Sequence, residues 1–159
     1  MTDAADTPGA GERNADLAQY VTFVVGDRRY GVDIVSVGEI RQWTSTTILP
    51  HQPAWTRGVL NLRGAIVPVH DLRARFGGAL TEPTPNHVVV IATIRGQSVG
   101  VLVDAVSDIV TVDRRQIRDV PPNIDSAEDG SISGLVSAGE EMIALLDLTL
   151  LFPEPAAAA

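Results

Sequence analysis

Short apolar runs rich in Val, Ile and Thr recur along the chain and are broken by turn formers at intervals of about 8–12 residues, the pattern of a β-rich domain made of small barrels. Val21 to Val25, a Gly26-Asp27 turn and Arg29 to Ile34 predict one hairpin; Val88 to Ile94, Arg95-Gly96 and Gln97 to Val103 predict another. Helical signals are few. From Ile34 to Trp43 the apolar residues Ile34, Val37 and Ile40 fall three apart, which predicts a helix or helical turn projecting Glu39 and Arg41 outward. The more β-branched stretch from Val103 to Ile109 reads as strand.

The pattern is used twice. Gly58 to Phe76 reappears without a gap as Gly134 to Phe152, each copy a glycine, an apolar strand, a turn, a second apolar strand and Asp-Leu-x-x-x-Phe. The Asp suits a helix N-cap, and the Leu and Phe share a helical face. Tyr30 to Ile40 likewise matches Val99 to Ile109. The order is therefore A, B, A-prime, B-prime, with a proline-bearing linker near residues 81–86 between two related halves. A half of about 65 residues buries too little surface to stand alone, so the halves are expected to share one core. The polar stretch 1–16 and the tail 153–159 lack periodicity and are expected to be disordered, which leaves a domain over 17–152.

Composition narrows the function classes. Twenty Asp and Glu against twelve Arg and no Lys leave a net charge of −8, which opposes binding to nucleic acid or to anionic lipid. There is no Cys, and the three His are scattered, so thiol chemistry is absent and neither a metal site nor a cofactor is expected. No signal-peptide core and no apolar run of membrane-spanning length occurs, and a cytoplasmic location without membrane insertion is expected. Nucleophile elbows, phosphate loops and paired metal-binding histidines are missing as well, so no catalytic residue is assigned and no enzymatic activity is expected. His51, His70 and His87 read as structural or surface residues, and Asp71 and Asp147, at repeated positions, as helix caps rather than an acid–base pair.

Where the copies differ is more telling. The turn of the first B unit is Leu62-Arg63-Gly64; that of the second is Ala138-Gly139-Glu140. Repeated positions build the fold, so the unrepeated Arg63 is the leading functional candidate. It suits a salt bridge to a carboxylate such as Glu39, an anchor for a protein interface, or both at once. Trp43 and Trp55 flank a turn-rich loop carrying Ile48-Leu49-Pro50, where half-buried aromatics either mark a contact surface or cap the core of the first half.

Tyr30-Gly31-Val32-Asp33-Ile34, Val37-Gly38-Glu39-Ile40-Arg41, Gly58-Val59-Leu60-Asn61-Leu62-Arg63-Gly64 and Asp71-Leu72-Arg73 together resemble the CheW coupling proteins of bacterial chemotaxis. Val103-Asp104-Ala105-Val106-Ser107-Asp108, Gln116-Ile117-Arg118 and Gly134-Leu135 extend the resemblance over about Gln19 to Phe152. It implies two intertwined five-stranded SH3-like barrels sharing a core, with a few short helices. It also implies a non-enzymatic adaptor between the cytoplasmic hairpin tip of a chemoreceptor and the regulatory domain of a CheA-type histidine kinase, recruited to receptor arrays. A CheW-like scaffold in a two-component pathway outside chemotaxis is the alternative. Carried over by position, the receptor side is Val37, Glu39, Gly58, Arg63, Val106, Ile109 and Gly134, and the kinase side Trp43 and Ile48. Gly58 and Gly134 also admit a purely backbone role. After Arg118 the chain reads Asp119-Val120-Pro121-Pro122-Asn123-Ile124, without the aromatic residue that family members can carry for ring contacts.

Overall fold

The computed structural model describes residues 16–121 and 131–152. The expected tails, beyond Asp16, and most of the segment following Pro121 lie outside the described residues.

Ten strands form the scaffold. They are β1 (Leu17–Val25), β2 (Arg28–Asp33), β3 (Val37–Gln42), β4 (Thr56–Leu62), β5 (Ala65–Asp71), β6 (Val88–Ile94), β7 (Gln97–Val103), β8 (Ala105–Asp113), β9 (Ile132–Ala138) and β10 (Glu141–Leu146). Both B units end in a one-turn helix, Leu72–Arg75 and Leu148–Leu151. The repeated aspartates cap them: Asp71 accepts from the Ala74 N–H and Asp147 from the Thr149 N–H. Asp71 is fully buried and also binds the backbone N–H and hydroxyl of Thr81 at 2.6 and 2.9 Å. The start of the linker is thereby pulled into the interior, while Glu82 and residues 84–86 are exposed.

The helix expected from Ile34 onward is shorter than its pattern. A 3-10 turn spans Ile34–Ser36, capped by Asp33, and from Val37 the chain is strand. The spacing of three has another origin. β3 carries a bulge against β6, with Val37 opposite Ala92 but Glu39 opposite Ile91. The extra residue, Gly38, returns Val37 and Ile40 to one face, so a bulged strand imitates a helical period. β8 does the same against β1, where Phe23 faces Val106 and Val21 faces Ile109.

The sheets are not the sequence halves. One has the order β8-β1-β2-β10-β9 and the other β3-β6-β7-β5-β4. After each A hairpin the chain crosses over, through Ile34–Ser36 the first time and Asp104 the second. Each A hairpin then pairs with the B hairpin of the other half through a parallel contact, β2 with β10 and β5 with β7. This is the expected intertwining. The edge strands of each sheet are not hydrogen-bonded to each other, so each expected barrel stays open on one side.

Three apolar clusters fill the domain. Between the sheets lies the largest, with Phe23, Tyr30, Val32, Leu72, Val90, Val101, Leu151 and Phe152. Leu62, Val67, Val69, Val89, Ile91 and Leu102 fill the far side of one sheet, and Val112, Val136, Ile143 and Leu145 that of the other. Successive residues of β6 and β7 alternate between two clusters, which is why these strands read as continuous apolar runs. Trp55 packs in the shared core, beside His70 and Phe152 at ring separations of 4.8 and 5.3 Å; it seals the joint between halves rather than the core of the first. Among the described residues no helix is long and apolar enough to cross a membrane.

Two outcomes follow. Leu72 is wholly buried in the shared core, so Leu72→Ala costs about 2–5 kcal/mol in denaturant unfolding and, with both halves on that core, lowers one common transition rather than splitting it. Burial among these rings pushes the His70 imidazole down from 6.5 to about 4. The unfolded chain takes up a proton near pH 6.5 that the folded one refuses until about pH 4, so this contribution is whole above 6.5 and lost progressively down to about 4. Stability measured against pH falls by about 3 kcal/mol from this group across that window, and His70→Phe flattens the fall.

Candidate functional site

Arg63 sits at the first central position of the β4–β5 turn with φ of 52°, a left-handed conformation. Its echo in the β9–β10 turn is Gly139, at φ 65°. Glycine takes this conformation freely, whereas an L side chain pays strain, so the first copy keeps an arginine against the preference of its own turn. The guanidinium bonds through Nη2 to Oε1 of Glu39 on β3 and remains 70% exposed. Arg41, two residues along the same strand, binds the other carboxylate oxygen at 3.2 Å. Both alternatives raised by the sequence are thus present together: an ion pair, and a guanidinium open to a partner.

Electrostatics follow the geometry. The hydrogen bond from Arg63, with a smaller one from Arg41, holds the Glu39 carboxyl below the usual glutamate range, and the same bond raises Arg63. β3 is an edge strand, and the pair ties it to the turn at the opposite side of the same sheet.

The other candidates fall into three groups. Val37 and Val106 occupy equivalent bulged positions on β3 and β8, and both pack part-buried against the shared core. Ile109 is 55% exposed on β8, and Ile40, its counterpart on β3, which sequence reasoning did not assign to the site, is 46% exposed. The repeat itself pairs Ile40 with Ile109, and that alignment was the signal that could have found it. Gly58 and Gly134 are buried instead. Gly58 has φ of 131°, and a Cβ there would run into the Thr47 carbonyl; one on Gly134 would meet Ile117. In both places a crossing segment bridges the following residue, Thr47 to Val59 and Arg118 to Leu135. Their role is to admit that backbone approach, and they present no surface of their own.

Trp43 is half-buried on the far-side core of its sheet, with Arg57 over its indole at 5.9 Å and its backbone N–H donating to the His87 carbonyl. Ile48 is 82% exposed on the loop that crosses β4. Among the described residues no group of three or more potential ligands for a metal ion occurs.

The CheW-like domain model matches residues 19–156, nearly the whole described scaffold. The chain belongs to the CheW-like domain family. The chemotaxis protein CheW of Rhizobium meliloti is 42% identical over 153 residues, covering 96% of both chains. A probable chemotaxis protein CheW of Rhizobium etli is 43% identical over 136 residues, 86% of this chain and 88% of that one. Among solved structures, the scaffolding protein TtCheW of Thermoanaerobacter tengcongensis superposes with a TM-score of 0.78 at 32% identity, over 86% of this chain and 93% of its own. The two intertwined five-stranded sheets and few short helices described above are this CheW-like fold.

A titration tests the ion pair. The Glu39 carboxyl, followed by NMR, has its midpoint below the usual glutamate range; the contribution of the pair is full above that range and lost as pH falls through the depressed midpoint. Arg63→Gly moves the midpoint up, and leaving it in place would show that Arg41 alone holds the carboxylate.

Proposed function

We propose that this chain is a non-enzymatic adaptor that couples chemoreceptors to a CheA-type histidine kinase in chemotaxis signal transduction, in the cytoplasm at receptor arrays. The relatives named above are chemotaxis and scaffolding proteins by their own descriptions, and they match this chain from end to end of its fold.

The observation that carries the reading at the level of residues is the Glu39–Arg63 pair. An exposed arginine is kept in a left-handed turn whose echo is glycine, so its side chain serves something beyond the turn. The receptor side is β3 and β8: Val37 and Val106 at their bases, Ile109 exposed on β8, Glu39 and Arg63 at the rim, and Gly58 and Gly134 setting the backbone below. Apolar side chains with a charged pair at their edge suit the apolar face of a helical hairpin, the pair choosing the register. The kinase side is the β3–β4 loop, where Ile48 offers apolar surface and Trp43 stiffens its root. The area involved would be about 800 Å² per partner or less, as in signalling contacts that exchange.

Two titrations by calorimetry test this, one with the hairpin tip of a chemoreceptor and one with the regulatory domain of a CheA kinase, both from the same cell. Saturable binding of each is expected. Arg63→Gly lowers receptor affinity about fivefold or more and leaves kinase affinity and the unfolding midpoint in place, since the turn itself favours glycine. Ile48→Asp does the converse. Absence of binding to both partners at high concentration sinks the adaptor reading.

A further inference from the structure

The two sheets are closed differently on their open sides. In the β3–β4 sheet the Glu39–Arg63 pair spans the opening. The duplication cannot supply the same device to the other sheet, because the repeat partner of Glu39 is Asp108 and that of Arg63 is Gly139. What stands there is two carboxylates, Asp108 on the edge strand β8 and Glu141 at the start of β10, lining a cavity of about 800 Å³. The cation comes from a third place. Arg29 on β2 reaches Asp108 through Nη2 at 3.0 Å and Glu141 through Nη1 at 3.2 Å. Nη2 also donates to the Thr22 hydroxyl, which itself donates to the Asp108 carboxylate at 2.7 Å.

Arg29 is no product of the repeat, since its echo is Ser98. Its side chain is 20% exposed, with Nε buried and lacking a hydrogen-bond partner, a donor whose burial costs stability. Without Arg29 the two carboxylates would repel across the cavity, and β8 would keep a backbone partner, β1, on one side alone.

We infer that Arg29 is the positioning residue for β8, holding that strand in place through Asp108 as Arg63 holds β3 through Glu39. This rests on the proposal that β3 and β8 together receive the receptor hairpin: β8 carries Val106 and Ile109, and Arg29 acts on that contact through the strand without touching the partner.

The test uses the full chain, Arg29→Ala, and the exchanged pair Arg29→Glu with Asp108→Arg, made together with Glu141→Gln so that the new glutamate meets no second carboxylate, read by hydrogen exchange along residues 105–113, by thermal unfolding, and by titration with the receptor hairpin tip. Arg29→Ala is expected to speed exchange in β8 about fivefold or more relative to β6 and to weaken hairpin binding about fivefold, with a single unfolding transition retained. The exchanged pair recovers most of both. Exchange that rises uniformly over the chain, or a binding loss that the exchanged pair does not recover, overturns the inference. The exchange arm decides independently of the partner: if the unaltered chain fails to bind the hairpin, the docking proposal falls, whereas selective loosening of β8 still upholds Arg29 and its absence still overturns it.

Discussion

Everything in this molecule depends on the shared core between the two sheets and on the two crossings that make it obligatory. The chain leaves one sheet at Ile34–Ser36, builds the whole of the other from β3 to β7, and returns at Asp104. One sheet therefore joins the two ends of the domain around an insertion that is the other sheet. Neither can be withdrawn without stripping Tyr30, Val32, Val101, Val103 and Leu151 of their packing. Since each sheet is apolar on both faces, solvent on either face would cost what the fold gains from burial. Asp104 reinforces the second crossing by accepting from the Gly26 N–H at 2.7 Å and from Arg73 at 3.0 Å, which ties the turn of one sheet to the helix after the other.

The same crossings place the surface. β3 and β8 follow the crossings directly, so both end up as edge strands, each bulged and each with its first valine against the shared core. β3 and β8 each have one backbone neighbour in their sheet, and each carries a carboxylate bound by an arginine, Glu39 by Arg63 and Asp108 by Arg29. One is an exposed pair, of small worth to stability but placed where a partner can read it. The other is a three-residue bridge set further into its sheet. The chain thus combines an apolar interior shared by both sheets with two ion-paired edge strands, an arrangement that suits the adaptor role proposed above.

Much of the fold was legible because it is written twice. The hairpins β1–β2 and β6–β7 read directly from their apolar runs and glycine-bearing turns, and both capping aspartates and the candidacy of Arg63 from comparing one copy with the other. Glu39 was legible as its partner because a lone arginine in a tight turn calls for a carboxylate nearby. Of the helix or helical turn expected after Ile34, the turn is present at Ile34–Ser36, and it goes no further for a definite reason: inserting Gly38 into a strand gives Val37 and Ile40 the spacing of a helical face, and pattern alone cannot tell the two apart. The glycines were ambiguous for the same kind of reason, since the crossing segments that bury Gly58 and Gly134 come from 11 and 17 residues away, Thr47 and Ile117.

By itself the sequence determined the strand-rich class, the duplication, the turns and the helix caps, all set by interactions among near neighbours or by periodicity within a segment. Tertiary structure alone decided which hairpin pairs with which, that Trp55 seals the shared core, and that Arg29 stands where the repeat has no cation. Those outcomes depend on contacts between residues as distant as Arg29 and Glu141, and no local preference encodes a partner that far along the chain.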